Sequence, residues 1–318
     1  MTPMAHETWF TELRPGFTTA LLGDPVTVGL VVAAVGVTVL WRAAAARWRT
    51  PELAVLEPLG RLAPWVPRLL AVHAGVSLVA QAYAGTYLAP ALALPDGLGG
   101  TLLAVLEGIV GVWLTTGIRV RPAAWLLLAA GPLGMLAYGV VPILERVDLL
   151  GIALFLTLLP PGDDELGAVR PSPQVLARAL FALRLSVGGA LVVLAFTEKL
   201  VRPDLALAFL DQYPAFNLLS TLGLDVSDLL FVQVAGAVEL LFGLLVISGA
   251  APQVAVIVAG IPFNATLFFL GASELIGHLP VYGVMAALLV YGSSPADARV
   301  VPWLPWEARP TGLPRPAT

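Results

Sequence analysis

The sequence predicts an all-α polytopic membrane protein of about nine transmembrane helices, built from two tandem parallel four-helix units behind one N-terminal helix. Three observations lead there. The 318 residues are 58% hydrophobic and only 12% charged, with a mean hydropathy of +0.88, whereas an ordinary soluble domain carries roughly one charged residue in four. Apolar runs recur along the chain at close to the ~20 residues that cross a hydrocarbon core. Two stretches of chain also align with each other at a fixed offset, as a duplication would leave them.

The first twenty residues, "MTPMAHETWFTELRPGFTTA", lack the basic then apolar order of a cleavable signal, so the first helix, expected over 25-42, stays in the mature protein. It belongs to an N-terminal region 1-63 that ends in a basic loop. Spans over 66-88, 99-117, 122-141 and a short one over 147-160 make a first four-helix unit, 64-160. The Pro, Gly and acidic residues of 161-176 read as a linker. Spans over 177-201, 228-248, 252-272 and 279-293 make the second unit, 177-294, and 295-318 is a tail.

Charge placement orients this arrangement. With the N-terminus outside, only Arg14, Arg146, Lys199 and Arg202 of the 17 Lys and Arg fall in outer positions, the bias expected when cytoplasmic loops hold the positive charge. Trp41, Trp48, Trp65, Trp303 and Trp306 then gather at the inner boundary as an interfacial belt. The expectation is an integral protein of the cytoplasmic membrane, in contact with the lipid bilayer, N-terminus out and C-terminus in.

The internal similarity sets "LAVLEGIVGVWLTTG" (Leu103–Gly117) over "VAGAVELLFGLLVISG" (Val234–Gly249), so that Glu107 matches Glu239 and Gly117 matches Gly249. The same offset matches Gly151 with Gly283, and a second offset matches Arg68 with Arg184. Both units start on the same side, which makes a parallel repeat rather than an inverted one.

Composition excludes several functions. A net charge of -4 and scattered arginines provide no field for nucleic acid. With no Cys there is no disulfide, thiolate nucleophile or Cys-ligated cluster. His6, His73 and His278 lie at different depths, so no haem pair and no metal site is expected. His73 reads as an interhelical hydrogen bonder. There is no phosphate loop, HExxH or GxSxG turn. Any redox group has to be brought in, and no covalent cofactor is expected.

The polar residues inside apolar runs are therefore the candidates. Glu107 and Glu239 each stand ten residues before a helix-ending glycine, about 15 Å at 1.5 Å per residue and thus near mid-membrane. Each either fixes helix register by hydrogen bonding or lines a ligand or proton path, as do Asn264 and Gln233, which also fit as interhelical hydrogen bonders. Glu198 and Lys199 are adjacent and point about 100° apart on a helix, so each needs another partner, and Lys199 has the reach to snorkel outward. Glu274 and His278 lie at the same outer level, but Gly277 and Pro280 suggest a turn there, with Pro280 in the first turn of the last helix. A shared outer site of Glu198, Lys199, Glu274 and His278 is the catalytic candidate. The stretch "RPDLALAFLDQYPAFNLLSTLGLD" reads as an interfacial segment, either a lid over that site or a connector.

Arg184 with the glycines of "RLSVGG", the "FTEKL" end of that helix, and the "AGAVELLFGLLVISG" helix with Glu239 resemble the DoxX family of four-helix membrane proteins, clearest over 178-294. The resemblance implies a membrane subunit that handles a bound quinone or similar lipophilic redox partner for an oxidoreductase on another polypeptide. Glu198, Glu274 and His278 would deliver protons and Lys199 would stabilise a quinol anion. The first unit departs from the pattern, with Ala82 and Tyr83 in place of Glu198 and Lys199. The alternatives are a small-solute or proton transporter or channel, with Glu107 and Glu239 of equal weight, and an assembly or anchoring factor; a homo-oligomer goes with the transport reading.

Overall fold

The computed structural model describes residues 15–162, 168–270 and 272–307. His6, Arg14, Arg309, Arg315 and the acidic run of the linker lie outside the described residues. Among the described residues the regular structure is helical apart from one small hairpin. Asp24 starts α1 (Pro25–Ala45) by accepting hydrogen bonds from the Val26 and Thr27 N–H groups, with Pro25 in the first turn. A 3-10 segment (Ala54–Trp65) leads into α2 (Val66–Ala84), which stops at Gly85, φ 74°. Two antiparallel strands, β1 (Thr86–Tyr87) and β2 (Ala89–Ala93), precede α3 (Leu98–Thr116). Then come α4 (Val120–Tyr138), the single turn and a half of α5 (Val140–Leu144), and α6 (Val147–Leu158). After the linker, α7 (Pro173–Leu194) runs on into a π turn, Ala195–Leu200. The short α8 (Pro203–Gln212) and α9 (Leu218–Thr221) lead to α10 (Asp228–Ser248), α11 (Pro252–Leu270) and α12 (Ala272–Ser293).

Seven of these helical segments are long and apolar enough to cross a membrane: α1, α2 with its 3-10 lead, α3, α4, α7 with its π turn, α10 and α12. They make this a membrane protein. Val147–Leu158 and Pro252–Ala265 are apolar but shorter, so seven of the nine expected spans meet the length and composition of a full crossing among the described residues. Two further expectations change. The second span ends at Ala84, because Gly85 turns the chain into the hairpin. The last helix begins at Ala272 rather than 279 and carries Pro280 within it; neighbouring helices make such a break in the hydrogen-bond ladder tolerable. The segment after Arg202, expected as a lid or a connector, packs on the bundle, with Leu205, Ala206, Phe209 and Leu210 of α8 buried.

The helices pack as two groups. In the first, α2 contacts α3, α3 contacts α4, α4 contacts α6, and α6 returns to α2. In the second, α7, α10, α11 and α12 follow the same order, and α12 returns to α7. The last helix of each group lies against the first helix of the other, α6 on α7 and α12 on α2. Without a hydrophobic driving force between helices, such contacts rely on close backbone approach at small residues. A Cβ at Gly111 would lie 3.0 Å from the Gly75 carbonyl oxygen, and one at Gly243 would lie 2.7 Å from that of Gly188. Gly151 abuts Ser186 of α7, and Gly283 abuts Leu70 and His73 of α2. His73 itself bonds the Leu69 carbonyl within its own helix.

One end of the bundle is rich in arginine. Arg68 covers Gly117, and Arg184 covers Gly249, at the C-termini of α3 and α10. Arg184 is fully buried and donates to the Ile247 carbonyl at 2.7 Å and the Trp303 carbonyl at 2.6 Å. Arg42 donates to the Ser248 and Pro302 carbonyls and pairs with Glu307 at 2.5 Å. Both satisfy carbonyls that the end of a helix leaves open and that carry its negative dipole end.

Gly243→Val is expected to destabilise the protein by about 1–3 kcal/mol, because the α7–α10 crossing has no room for a side chain. Gly29→Val, at a position with open space around it, is expected to be near neutral. Thermal unfolding of both variants in one detergent checks the contrast.

Candidate functional site

Lys199 and Glu239 form an ion pair inside the second helix group, Nζ to Oε2 at 3.1 Å. Helix geometry explains how residues at different heights meet. Counting from the arginine-rich end, Lys199 stands fifteen residues beyond Arg184, about 22 Å up, and Glu239 ten residues from Gly249, about 15 Å up. Every Cα–Cβ bond tilts toward its helix N-terminus. On α7 that tilt carries Lys199 down, and on the antiparallel α10 it carries Glu239 up. Gly236, one turn before Glu239, admits the lysine: a Cβ there would lie 3.3 Å from Lys199 Cβ. The pair is partly open, with the two side chains 16% and 20% exposed.

The π turn shapes this end of α7. The Val201 N–H reaches back to the Phe196 carbonyl at 2.9 Å, the i to i−5 bond of a π turn, a feature frequent at functional sites. It leaves Glu198 buried while Lys199 faces α10. Lys199 therefore turns into the bundle instead of snorkelling outward, since a carboxylate lies within its reach there.

Glu274 and His278 are both buried on α12 and share one face, Nδ1 to Oε1 at 3.2 Å. The turn expected at Gly277 and Pro280 is absent, because the helix starts earlier and runs through both. Phe263 of α11 meets the imidazole edge to face at 5.4 Å, and the Tyr282 hydroxyl donates to the Phe263 carbonyl at 3.0 Å. Gln233 donates to Asp24 Oδ1 at 2.8 Å and Thr27 Oγ1 at 3.0 Å, fastening α10 to the start of α1. Asn264 is exposed and donates at 2.7 Å to Gly260 of its own helix, not to a neighbouring one.

The first group holds its mid-helix carboxylate differently. Glu107 is 2% exposed and its Oε1 accepts the Leu88 N–H at 2.8 Å. Leu88 sits at the hairpin tip with φ 58°, a left-handed conformation rare for such a side chain, and this bond helps to hold it. The adjoining Tyr87 donates to the Ala130 carbonyl at 2.8 Å and stacks on Tyr138 at 5.9 Å. The hairpin thus closes the first group at its carboxylate.

The sequence reading passed over a second charged cluster. Arg146, assigned there to an outer loop, is buried in the break between α5 and α6, 3.5 Å from the buried Asp148 and within electrostatic reach of Glu107. Beside it, Glu145 accepts the Thr197 hydroxyl at 2.8 Å and pairs with Arg202 at 3.3 Å, joining the two groups. The signal was present: "ERVD", Glu145 to Asp148, places three charges at the head of an apolar run.

Of the predicted residues, the structure pairs Lys199 with Glu239 and Glu274 with His278. Glu198 is buried in the π turn between α7 and α8, Gln233 bonds to α1, and Glu107 lies in the other group. Compared with known proteins, the chain matches no family model, no curated protein and no solved structure.

Removing one partner of a pair inside an apolar bundle strands the other charge. Lys199→Met alone is expected to destabilise the protein more than the Lys199→Met/Glu239→Gln double variant, with a coupling of about 1–2 kcal/mol. A thermal double-mutant cycle in detergent measures it.

Proposed function

We propose that the chain is a DoxX-like subunit of the cytoplasmic membrane that handles a quinone or similar lipophilic redox partner at the Lys199–Glu239 pair. The observation that carries this reading is the pair itself: two opposite charges inside an apolar bundle, both partly open. Intramembrane ionisable residues of this kind mark sites of ion or ligand handling. Electrons would come from a carrier on a partner oxidoreductase polypeptide. A quinone that takes two electrons and two protons becomes a quinol. Lys199 would stabilise the negative charge arriving on a quinone oxygen, and Glu239, a carboxylate while paired, would take up and pass on each of the two protons in turn. Glu198 and the Glu274–His278 pair would replace that proton from the end opposite the arginines.

The helix order supports a duplicated architecture of two parallel four-helix units, and the gathering of arginines at one end supports an N-terminus outside and a C-terminus inside. The contacts between Arg68 and Gly117 and between Gly283 and Leu70 have counterparts at the matching positions, Arg184 with Gly249 and Gly151 with Ser186, and the Gly75–Gly111 approach has a parallel in Gly188–Gly243 one turn out of register. A transporter with equal roles for Glu107 and Glu239 fits less well, because Glu107 is enclosed by a backbone N–H where Glu239 faces a lysine.

Protein purified gently from its native membrane is expected to carry quinone, with an oxidoreductase polypeptide, by mass spectrometry. Lys199→Met and Glu239→Gln should each lower quinone occupancy about tenfold, the loss of one charged hydrogen bond, while Glu107→Gln retains it. A quinone-free homo-oligomer, or equal losses at Glu107 and Glu239, would replace this reading with transport.

A further inference from the structure

A recess of about 330 Å³ opens at the arginine-rich end, far along the bundle from Lys199 and Glu239. Its walls come from the 3-10 segment before α2, the stretch before α7, and the end of α12. These walls are fastened to one another. A Cβ at Gly60 would lie 2.6 Å from Ser294 Cα, so the 3-10 segment sits directly on the end of α12. The Val169 N–H donates to the Pro64 carbonyl at 2.8 Å, which ties down the stretch that carries Arg170.

The polar groups in the wall are mostly donors. Arg61 and Arg170 line the recess, and neither forms an ion pair among the described residues. Tyr291 is 1% exposed, held against the Phe155 ring at 6.3 Å, and its hydroxyl makes no hydrogen bond among the described residues. A buried hydroxyl without a partner is costly, and one that lines a recess is commonly satisfied by what enters it. Asp297 is the acidic wall residue, and its Oδ2 already accepts the Ser294 hydroxyl at 2.8 Å. Among the described wall residues, two guanidinium groups stand against one carboxylate. Planar guanidinium forks together with a neutral hydroxyl donor suit a tetrahedral oxyanion.

The geometry points to a binding site for a phosphate group, carried either by a lipid headgroup or by a free phosphate compound, held by Arg61, Arg170 and Tyr291. The site is independent of the quinone reading, because it shares no residue with it.

The full chain in detergent tests the site with three probes: inorganic phosphate by calorimetric titration, and phosphatidylglycerol against diacylglycerol by native mass spectrometry. At least one phosphate-bearing probe is expected to bind and diacylglycerol is not. Arg61→Gln and Arg170→Gln should each weaken binding about tenfold, the loss of one charged hydrogen bond. Tyr291→Phe should weaken it several-fold without lowering the melting temperature, since only an unpartnered hydroxyl is removed. Binding of inorganic phosphate identifies a free compound as the ligand, and binding of phosphatidylglycerol alone identifies a lipid. No binding of either, or binding unchanged in all three variants, overturns the proposal.

Discussion

Arg184 is a full positive charge with no exposure to solvent, and its hydrogen bonds to Ile247 and Trp303 tie α7, α10 and the segment after α12 into one body. An unpaired charge or backbone carbonyl in such surroundings is costly enough that the fold has to supply a partner. The same requirement is met at several other polar positions along the bundle. Arg42 answers the carbonyls of Ser248 and Pro302, Gln233 answers the cap of α1, and Arg202 with Thr197 answers Glu145. Polar side chains act here mainly as fasteners between helices that lipid would otherwise separate.

Against that background the two mid-helix glutamates differ in kind. A hydrogen bond to a backbone N–H, as at Glu107, depends on a hairpin whose tip, Tyr87 to Ala89, is buried. A pair with a lysine, as at Glu239, depends on one flexible side chain with four rotatable bonds, and that side chain can exchange its partner at little structural cost. The aligned positions therefore serve a fixed element in one helix group and an exchangeable one in the other. The break between α5 and α6 adds to the difference, since it places Arg146 and Asp148 beside the fixed carboxylate.

Membrane character was legible in the sequence because length and apolarity are one-dimensional properties. The positions of α1, α3, α7 and α10 followed from the same runs. Pairings were not legible in that way. Lys199 and Glu239 are forty residues apart, and their contact depends on antiparallel tilt and on the π turn, neither of which leaves a mark in composition. Gly277 and Pro280 read as a turn by local rules that hold in water, and packed neighbours override those rules in a bundle. Arg146 was placed outside because a count of charges by loop assumes that every arginine between two apolar runs meets water. The buried ion pair with Asp148 shows where that assumption fails.

The N-terminal helix removes the equivalence of the two groups. Ile109 and Val112 on α3 are exposed, while Leu241 and Leu244, at the matching places on α10, pack against Val31 and Ala34 of α1. On α11, by contrast, Ile257, Val258 and Ile261 are bare. A molecule dissolved in the bilayer thus meets a doubled wall along the α1 flank and a single helix along the α11 flank. On the proposed reading, lateral entry into the second group would come along the α11 flank, with α1 as a fixed jamb on the other side.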